Sequence, residues 1–407
     1  MLKLPYKVRL GFGIALTSLA AGLGGILMHE LIKGIEWLAY GRASEDFLSL
    51  ITQTPAKRYV PTLVVMSVLV ALIWYLLQQK HAIVSVNLQA KSDKEEHLLP
   101  HFWQHLFHTF VQIAFVGSGG PVGKEGAPRE FGALCAGRIG HVLHLSVKDR
   151  HLLIICGASA GLAAIYHIPL SAFFFAFETF SLAYSLKAIS IVLITTYGAA
   201  WLATPIVGNG PIYEMQVPSL SLVHLGLLLI LPFMVAPLAA CFRFLTQKAS
   251  QYRRVDRSIL LCLPLAGLLT ALLAVAHPII LGNGSALVQA TLDGLSFTEG
   301  LYLLLVKGGV VLLCLWAGAY GGTLTPSFAM GGLIGLLLFW LASAFVSVSN
   351  PGLLILAGAA SFLAITMKAP MTSAGMAVAF TGQSPIVVLP ILMCVFISTR
   401  FYHYVIK

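Results

Sequence analysis

The chain has 407 residues, 58% of them hydrophobic and only 10% charged, with a formal net charge of +10; its mean hydropathy is +0.88. A soluble domain is about a quarter charged, so this composition excludes one and points to an all-α polytopic membrane protein. The basic residues are scattered over loops and helix ends, which suits contact with membrane lipid and a basic, anion-attracting cavity, and argues against nucleic-acid binding.

In chain order, the opening run "MLKLPYKVRLGFGIALTSLAAGLGG" passes into more helix-forming sequence without a small-residue cleavage site, so it is read as retained rather than as a signal peptide. Apolar runs able to reach across a core of about 30 Å follow at Val60 to Leu77, Leu222 to Phe242, Leu260 to Ala276, Leu301 to Ala319 (with Lys307 inside), Gly331 to Val348 and from Val387 past Ile397. Polar breaks fall at Arg42 to Arg58, Gln78 to Pro100, Val147 to Arg150, Gly208 to Val217, Gln247 to Arg257 and Leu281 to Gly300. None is long or biased enough for a soluble appendage. A single integral membrane domain over 1–407 is expected, with repeat halves at about 10–205 and 220–407.

In "HLLPHFWQHLFH", His97, His101, His105 and His108 fall near one helical face, but Pro100 interrupts it and no carboxylate pair completes a ligand set. An interfacial, partly solvated segment is expected, with no metal and no cofactor. The six cysteines are widely spaced without a CxxC pair, so no zinc or disulfide framework is expected.

Next comes "GSGGPVGKEGAPRE", 117 to 130, a glycine- and proline-rich break between apolar stretches. Glycine lets a backbone turn sharply and approach a ligand, and proline favours helix starts. A helix start carries unpaired N–H groups and partial positive charge, so it suits an anion. Glu125 would compete there with a mobile anion as a tethered plug, and its protonation would release it, coupling protons to anion passage. The competing reading is a helix-capping carboxylate paired with Lys124 or Arg129. Glu130, beside Arg129, reads as a local ion pair, and Glu178 is the remaining acidic candidate nearby.

"GASAGLAAIYHIPLSAFFFAF" (157 to 177) overlies "GAASFLAITMKAPMTSAGMAV" (358 to 378), matching Gly157 with Gly358 and Pro169 with Pro370. At a slightly different offset "GKEGA" overlies "GTLTP", inside "AYGGTLTPSFAMGG" (319 to 332). The halves read as repeats of one design, with paired glycine breaks upstream. His167 and Lys368 occupy matching positions and read as solvated helix ends; Arg138, Lys148 and Arg150 read as loop charges. From Leu301 onward there is no Asp or Glu, which disfavours a cation or organic-solute transporter. No Walker loop, HExxH or GxSxG set is present, so an enzyme is not expected.

These motifs, in this order, resemble the CLC family of chloride channels and proton-coupled anion exchangers, from about Gly11 to the end. "GSGGPVGKEGAPRE" resembles its G-(K/R)-E-G-P signature and "GGTLTPSFAMGG" its G-x-F-x-P signature. The resemblance implies a homodimer of inverted repeats built from tilted and broken helices in the cell membrane, moving chloride in exchange for protons. It implies Glu125 as gate and proton carrier. Anion-binding positions carry over to Gly123, Lys124, Gly126, Thr323, Leu324 and Thr325, and Tyr402 of "RFYHYVIK" to the hydroxyl donor.

Several departures leave alternatives open. The region "QQKHAIVSVNLQAK" lacks the family's first-signature serine, with Ser85 the nearest hydroxyl; Ala127 replaces a proline; Leu324 and Thr325 replace Phe and Ala. Thr179 falls where many exchangers carry an inner proton-relay glutamate, and no cytoplasmic regulatory domain is expected after Lys407. The short chain, the lost serine and Thr325 also resemble the bacterial fluoride-exporting branch, because fluoride needs close, strong donors. A fluoride/proton antiporter and a passive chloride channel therefore remain alternatives.

Overall fold

Inside hydrocarbon each backbone N–H and C=O must find a partner in its own segment or in a neighbouring one, which restricts a chain of this composition to helices. The computed structural model describes residues 4–44, 46–79, 81–216 and 220–406; Met1, Val217 and Lys407, which bound stretches named above, lie outside them. Eighteen α-helices and no β-strand occur among the described residues. They begin with α1 (Tyr6–Tyr40), α2 (Phe47–Thr52), α3 (Ala56–Gln78), α4 (Val86–Gln89), α5 (Glu95–Leu98) and α6 (Phe102–Gly117). After the first glycine break come α7 (Gly126–Val142), α8 (Val147–Tyr166), α9 (Pro169–Phe180), α10 (Leu186–Val207), α11 (Leu222–Gln251) and α12 (Ile259–Ala276). The remainder are α13 (Ser285–Asp293), α14 (Phe297–Ala317), α15 (Leu324–Ser343), α16 (Gly352–Met367), α17 (Pro370–Thr381) and α18 (Val388–Phe401).

Eight segments among the described residues are long and apolar enough to cross a membrane: α1, α3, α10, α11, α12, α14, α15 and Pro385–Val405, which contains α18. The protein is a multi-pass, all-α membrane protein. Hydropathy alone missed α10 and placed α15 too late. That helix begins at Leu324 rather than Gly331 and ends at Ser343 rather than Val348; its first turns, Leu324 to Met330, mix polar residues and a proline with apolar ones, which breaks the hydropathy run although all of them are buried.

The chain sorts into two compact units, one of Met1–Ile32, Ile73–Ala114 and Lys124–Asn209, the other of Lys33–Leu72, Phe115–Gly123 and Gly210–Lys407. Each contains the repeated motif. In the first, α8 ends at His167 in the left-handed region (φ 52°) and α9 starts with Pro169. In the second, α16 ends at Lys368 (φ 57°) and α17 starts with Pro370. A left-handed residue ends each helix, and a proline with preset φ begins the next. Lys368 is an exposed helix end as expected, whereas His167 is half-buried and its Nε2 meets Thr204 Oγ1 at 2.9 Å.

Glycines let the backbones of consecutive helices touch, a packing mode suited to lipid, where there is no hydrophobic drive between helices. A Cβ at Gly161 in α8 would stand 2.1 Å from the Pro128 carbonyl oxygen of α7, and one at Gly335 in α15 2.1 Å from the Leu354 oxygen of α16. Replacing Gly161 with Val forces these backbones apart. The expected loss is about 1–3 kcal/mol, the usual cost of overpacking, read as a lower unfolding midpoint in detergent. An unchanged midpoint would mean that the helices separate freely.

Arg138 and Arg150 are not loop charges. Arg138, within α7, donates to the Pro100 carbonyl at 2.7 Å. Arg150, buried within α8, makes two 3.0 Å hydrogen bonds to Glu95. Hydrogen bonding by Arg150 holds the Glu95 carboxyl below the usual carboxylate range. A depressed folded value stabilises above the unfolded pKa, and that contribution is lost as pH falls through the folded one. Because the Glu95 side chain is 56% exposed, Glu95→Gln should cost under about 1 kcal/mol near neutrality and nothing in acid, as compared by unfolding at the two pH values.

Candidate functional site

The first unit supplies the start of α7. Glu125 is its N-cap residue, 0% exposed, with a helical backbone (φ −69°, ψ −18°) and no side-chain cap hydrogen bond. Its side chain thus does not cap the helix, while Glu125 and Arg129 act on each other electrostatically. The Tyr166 hydroxyl donates to Glu125 Oε2 at 3.4 Å, a long and weak contact for two oxygens. Lys124 Nζ lies 5.4 Å from the centroid of the Tyr166 ring, and the Arg129 guanidinium lies over Phe175 at 4.5 Å. Gly126 opens the helix and is half-buried. Tyr166, the last residue of α8, was not singled out in the sequence; its one signal was its place in the repeat, where Met367 stands in the second copy.

Beside this site lies a buried polar cluster that the sequence reading had placed elsewhere. His105 and His108 are buried rather than interfacial, and Glu130 pairs with them rather than with Arg129. Glu130 Oε1 meets His105 Nδ1 at 2.7 Å, while Oε2 accepts from Gln112 Nε2 at 2.8 Å and lies 3.5 Å from His108 Nε2. The tautomers follow from the outer partners. Trp74 Nε1–H donates to His108 Nδ1 at 3.1 Å, and the Val84 N–H donates to His105 Nε2 at 3.3 Å. Each of those ring nitrogens must accept, so the other carries the hydrogen and faces the carboxylate. Among the described residues no group of three or more His, Cys, Asp or Glu is arranged to hold a metal.

The second unit supplies the other predicted positions. The Gly123 N–H donates to the Gly322 carbonyl at 2.6 Å, and the Gly322 N–H donates to the Gly123 carbonyl at 2.9 Å. The two glycine breaks, aligned in the repeat, are thus joined through their backbones. Thr323 is the N-cap of α15 without a side-chain cap bond, and Leu324 and Thr325 are buried in its first turn. Asn283, another residue that the sequence reading missed, points its Nδ2 at Thr325 Oγ1, 3.5 Å away. Tyr402 belongs to the last helix. It caps α18, is half-buried with its ring 5.9 Å from the Arg243 guanidinium, and lines a cavity of about 450 Å³ with Lys368, Arg400 and His403.

Ser85 caps the short α4 from an exposed position and is no substitute for the missing serine. Glu178 is half-buried in α9. Next to it, the Thr179 Oγ1 is buried without a hydrogen-bond partner.

The family model described as "Voltage gated chloride channel" matches residues 64–403. The chain belongs to this family. Among curated relatives, the H(+)/Cl(-) exchange transporter ClcA of Vibrio cholerae serotype O1 is 29% identical over 297 residues, 70% of this chain and 63% of that protein. The chain thus spans less than two thirds of that relative's length. ClcA of Yersinia pseudotuberculosis serotype IB is 26% identical over 399 residues, covering 93% and 82% of the two chains. Among solved structures, a slow cyanobacterial Cl-/H+ antiporter superposes with a TM-score of 0.81 at 19% identity, covering 97% of this chain and 94% of its own. A CLC-type fluoride/proton antiporter gives 0.77 at 20% identity, with 99% and 97% covered. At these identities the structural likeness establishes the fold, which is that of CLC transporters.

Proposed function

We propose that this protein carries chloride across the cell membrane in exchange for protons, with Glu125 as gate and proton carrier. The observation that carries the reading is Glu125 itself: a carboxylate 0% exposed at a helix N-terminus that its side chain does not cap, within reach of the Tyr166 hydroxyl. An acid in that place serves by competing with an anion for the helix end and by leaving when protonated. Anion-binding roles are proposed for Lys124 and Gly126 in the first unit and for Gly123, Thr323, Leu324, Thr325 and Tyr402 in the second. The names of the curated relatives, all H(+)/Cl(-) exchange transporters in the two comparisons above, support chloride as the ion. The reading is of an ion carrier rather than an enzyme, working as a homodimer in lipid.

Its test is release from proteoliposomes loaded with chloride or fluoride, with anion and lumenal pH recorded together. Chloride release with opposite proton movement is the expected result. Fluoride release with little chloride movement would replace the substrate, and chloride release without protons would reduce the protein to a channel. Cross-linking in native membranes is expected to give a dimer; a monomer alone would contradict that part.

A further inference from the structure

The cavity that Tyr402 lines is large, and its charged lining is all basic. At about 450 Å³ it falls within the usual range for small-molecule sites, whereas one water takes about 30 Å³ of liquid. It therefore has room for a ligand well beyond the single inorganic anion assigned above to Tyr402. Lys368, Arg400 and His403 line it, and all three are exposed. Arg243 stands behind this wall, donating to the Ile365 carbonyl at 3.0 Å with its guanidinium 5.9 Å from the Tyr402 ring centroid. The wall is built from α16, α17 and α18, with α11 packed against α16 and α18, and none of these helices contains Asp or Glu. They bring positive charge to the cavity and no negative side chain.

Helix C-termini work against an anion, but the carbonyls at these ends are engaged. The Ile365 oxygen takes Arg243, the Ala364 oxygen takes the Ala369 N–H at 3.2 Å, and the Ser398 and Thr399 oxygens take the Tyr402 N–H. Pro370, also on the lining, opens α17, whose start carries the positive end of a helix dipole. The cavity lies toward the end of a membrane-spanning segment, Pro385–Val405. Along that segment the lining passes from Phe396 to Arg400, one turn apart on α18, and on to Tyr404, whose hydroxyl accepts from Arg400 Nη1 at 3.2 Å. Phe396 is 49% exposed and Tyr404 78%. Toward the end of the span the order is thus apolar, cationic, aromatic. A phospholipid offers the matching order, with its acyl chain inside, its phosphate further out and the interface beyond. An apolar flank is what a lipid uses and a free anion does not.

We propose that this cavity holds the phosphate headgroup of an anionic phospholipid, with Arg400 and Lys368 on the phosphate and Phe396 beside the acyl chain. One of the five guanidinium N–H donors of Arg400 goes to Tyr404, which holds the side chain in place. The planar fork of an arginine suits phosphate oxygens. The proposal does not depend on which ion the protein carries.

The test uses the full chain in detergent as wild type, K368Q, R400Q, the double variant and K57Q, which removes an exposed lysine of α3 outside the cavity. The unfolding midpoint is followed against dioctanoyl phosphatidylglycerol, dioctanoyl phosphatidylcholine and inorganic phosphate. Phosphatidylglycerol should raise the wild-type midpoint saturably, and phosphatidylcholine should not. Its half-saturating concentration should rise about fivefold in each single variant and about 25-fold in the double, the effect expected of basic groups beside a headgroup. K57Q should match wild type. No saturable rise in the wild type, or an equal response in the double variant, overturns the proposal. A loss in K57Q as large as in R400Q also overturns it, since general surface charge would then account for binding. Inorganic phosphate that reproduces the rise would make this a free-phosphate site and overturn the lipid assignment. Should the double variant not fold, the single variants decide by the same criterion.

Discussion

Replacing Glu125 with Gln will abolish proton exchange while chloride flux continues. Glutamine has the shape of the protonated acid but cannot take up or release a proton in the working range, so the variant imitates the plug in its released state. The acid is buried at the start of α7 with no side-chain capping bond to lose, and glutamine keeps an oxygen that can accept from Tyr166. The substitution is therefore expected to spare the fold. Removing the one group that carries the proton should lower proton flux by at least about 100-fold, in line with other positioned acids and bases. Chloride flux should persist and lose its pH dependence. Wild-type proton coupling in E125Q would place the proton carrier elsewhere.

Glu130→Ala is the change expected to damage the fold most. The carboxylate receives Gln112 Nε2 and the hydrogen-bearing nitrogens of His105 and His108, all in buried surroundings. Both histidines are held in their tautomers from behind by Trp74 and Val84, so neither can turn its ring to find another acceptor without losing a second bond. Alanine leaves these donors facing a cavity. Leaving a buried donor unmet costs about 1–3 kcal/mol, and breaking a buried charged network typically costs about 3–5 kcal/mol. The expected loss lies in that upper range, seen as a lower unfolding midpoint in detergent. Gln at the same position, keeping one acceptor oxygen, should recover part of it. An unchanged midpoint in E130A would mean that water replaces the carboxylate.

What could be read in the sequence, and what could not, follows from the range of the interactions. The helix start at Gly126, the paired prolines 169 and 370 and the aligned glycine breaks depend on neighbouring residues, so sequence carried them. The family match also agrees with the resemblance drawn from those motifs. His105, His108 and Gln112 share one face of α6 by spacing alone, but their acceptor, Glu130, belongs to another helix. Without that partner the histidines looked solvated and the glutamate looked paired to its neighbour. Lys307 was visible only as an interruption in an apolar run, because nothing local announces that its amine donates to the carbonyls of Ile280 and Gly282. Tyr166 and Asn283 are equally silent, since each acts through a residue 41 or 42 positions away.

The central claim is that chloride and proton movements are tied together in one cycle. The most direct measurement places the purified protein in liposomes with a chloride gradient, equal pH on both sides and the membrane potential held at zero, and records lumenal pH. Chloride flowing down its gradient should drive protons the opposite way, building a pH difference where none existed, and E125Q should build none. Chloride running down with the pH flat in the wild-type protein would contradict coupled exchange and leave a passive chloride pathway in its place.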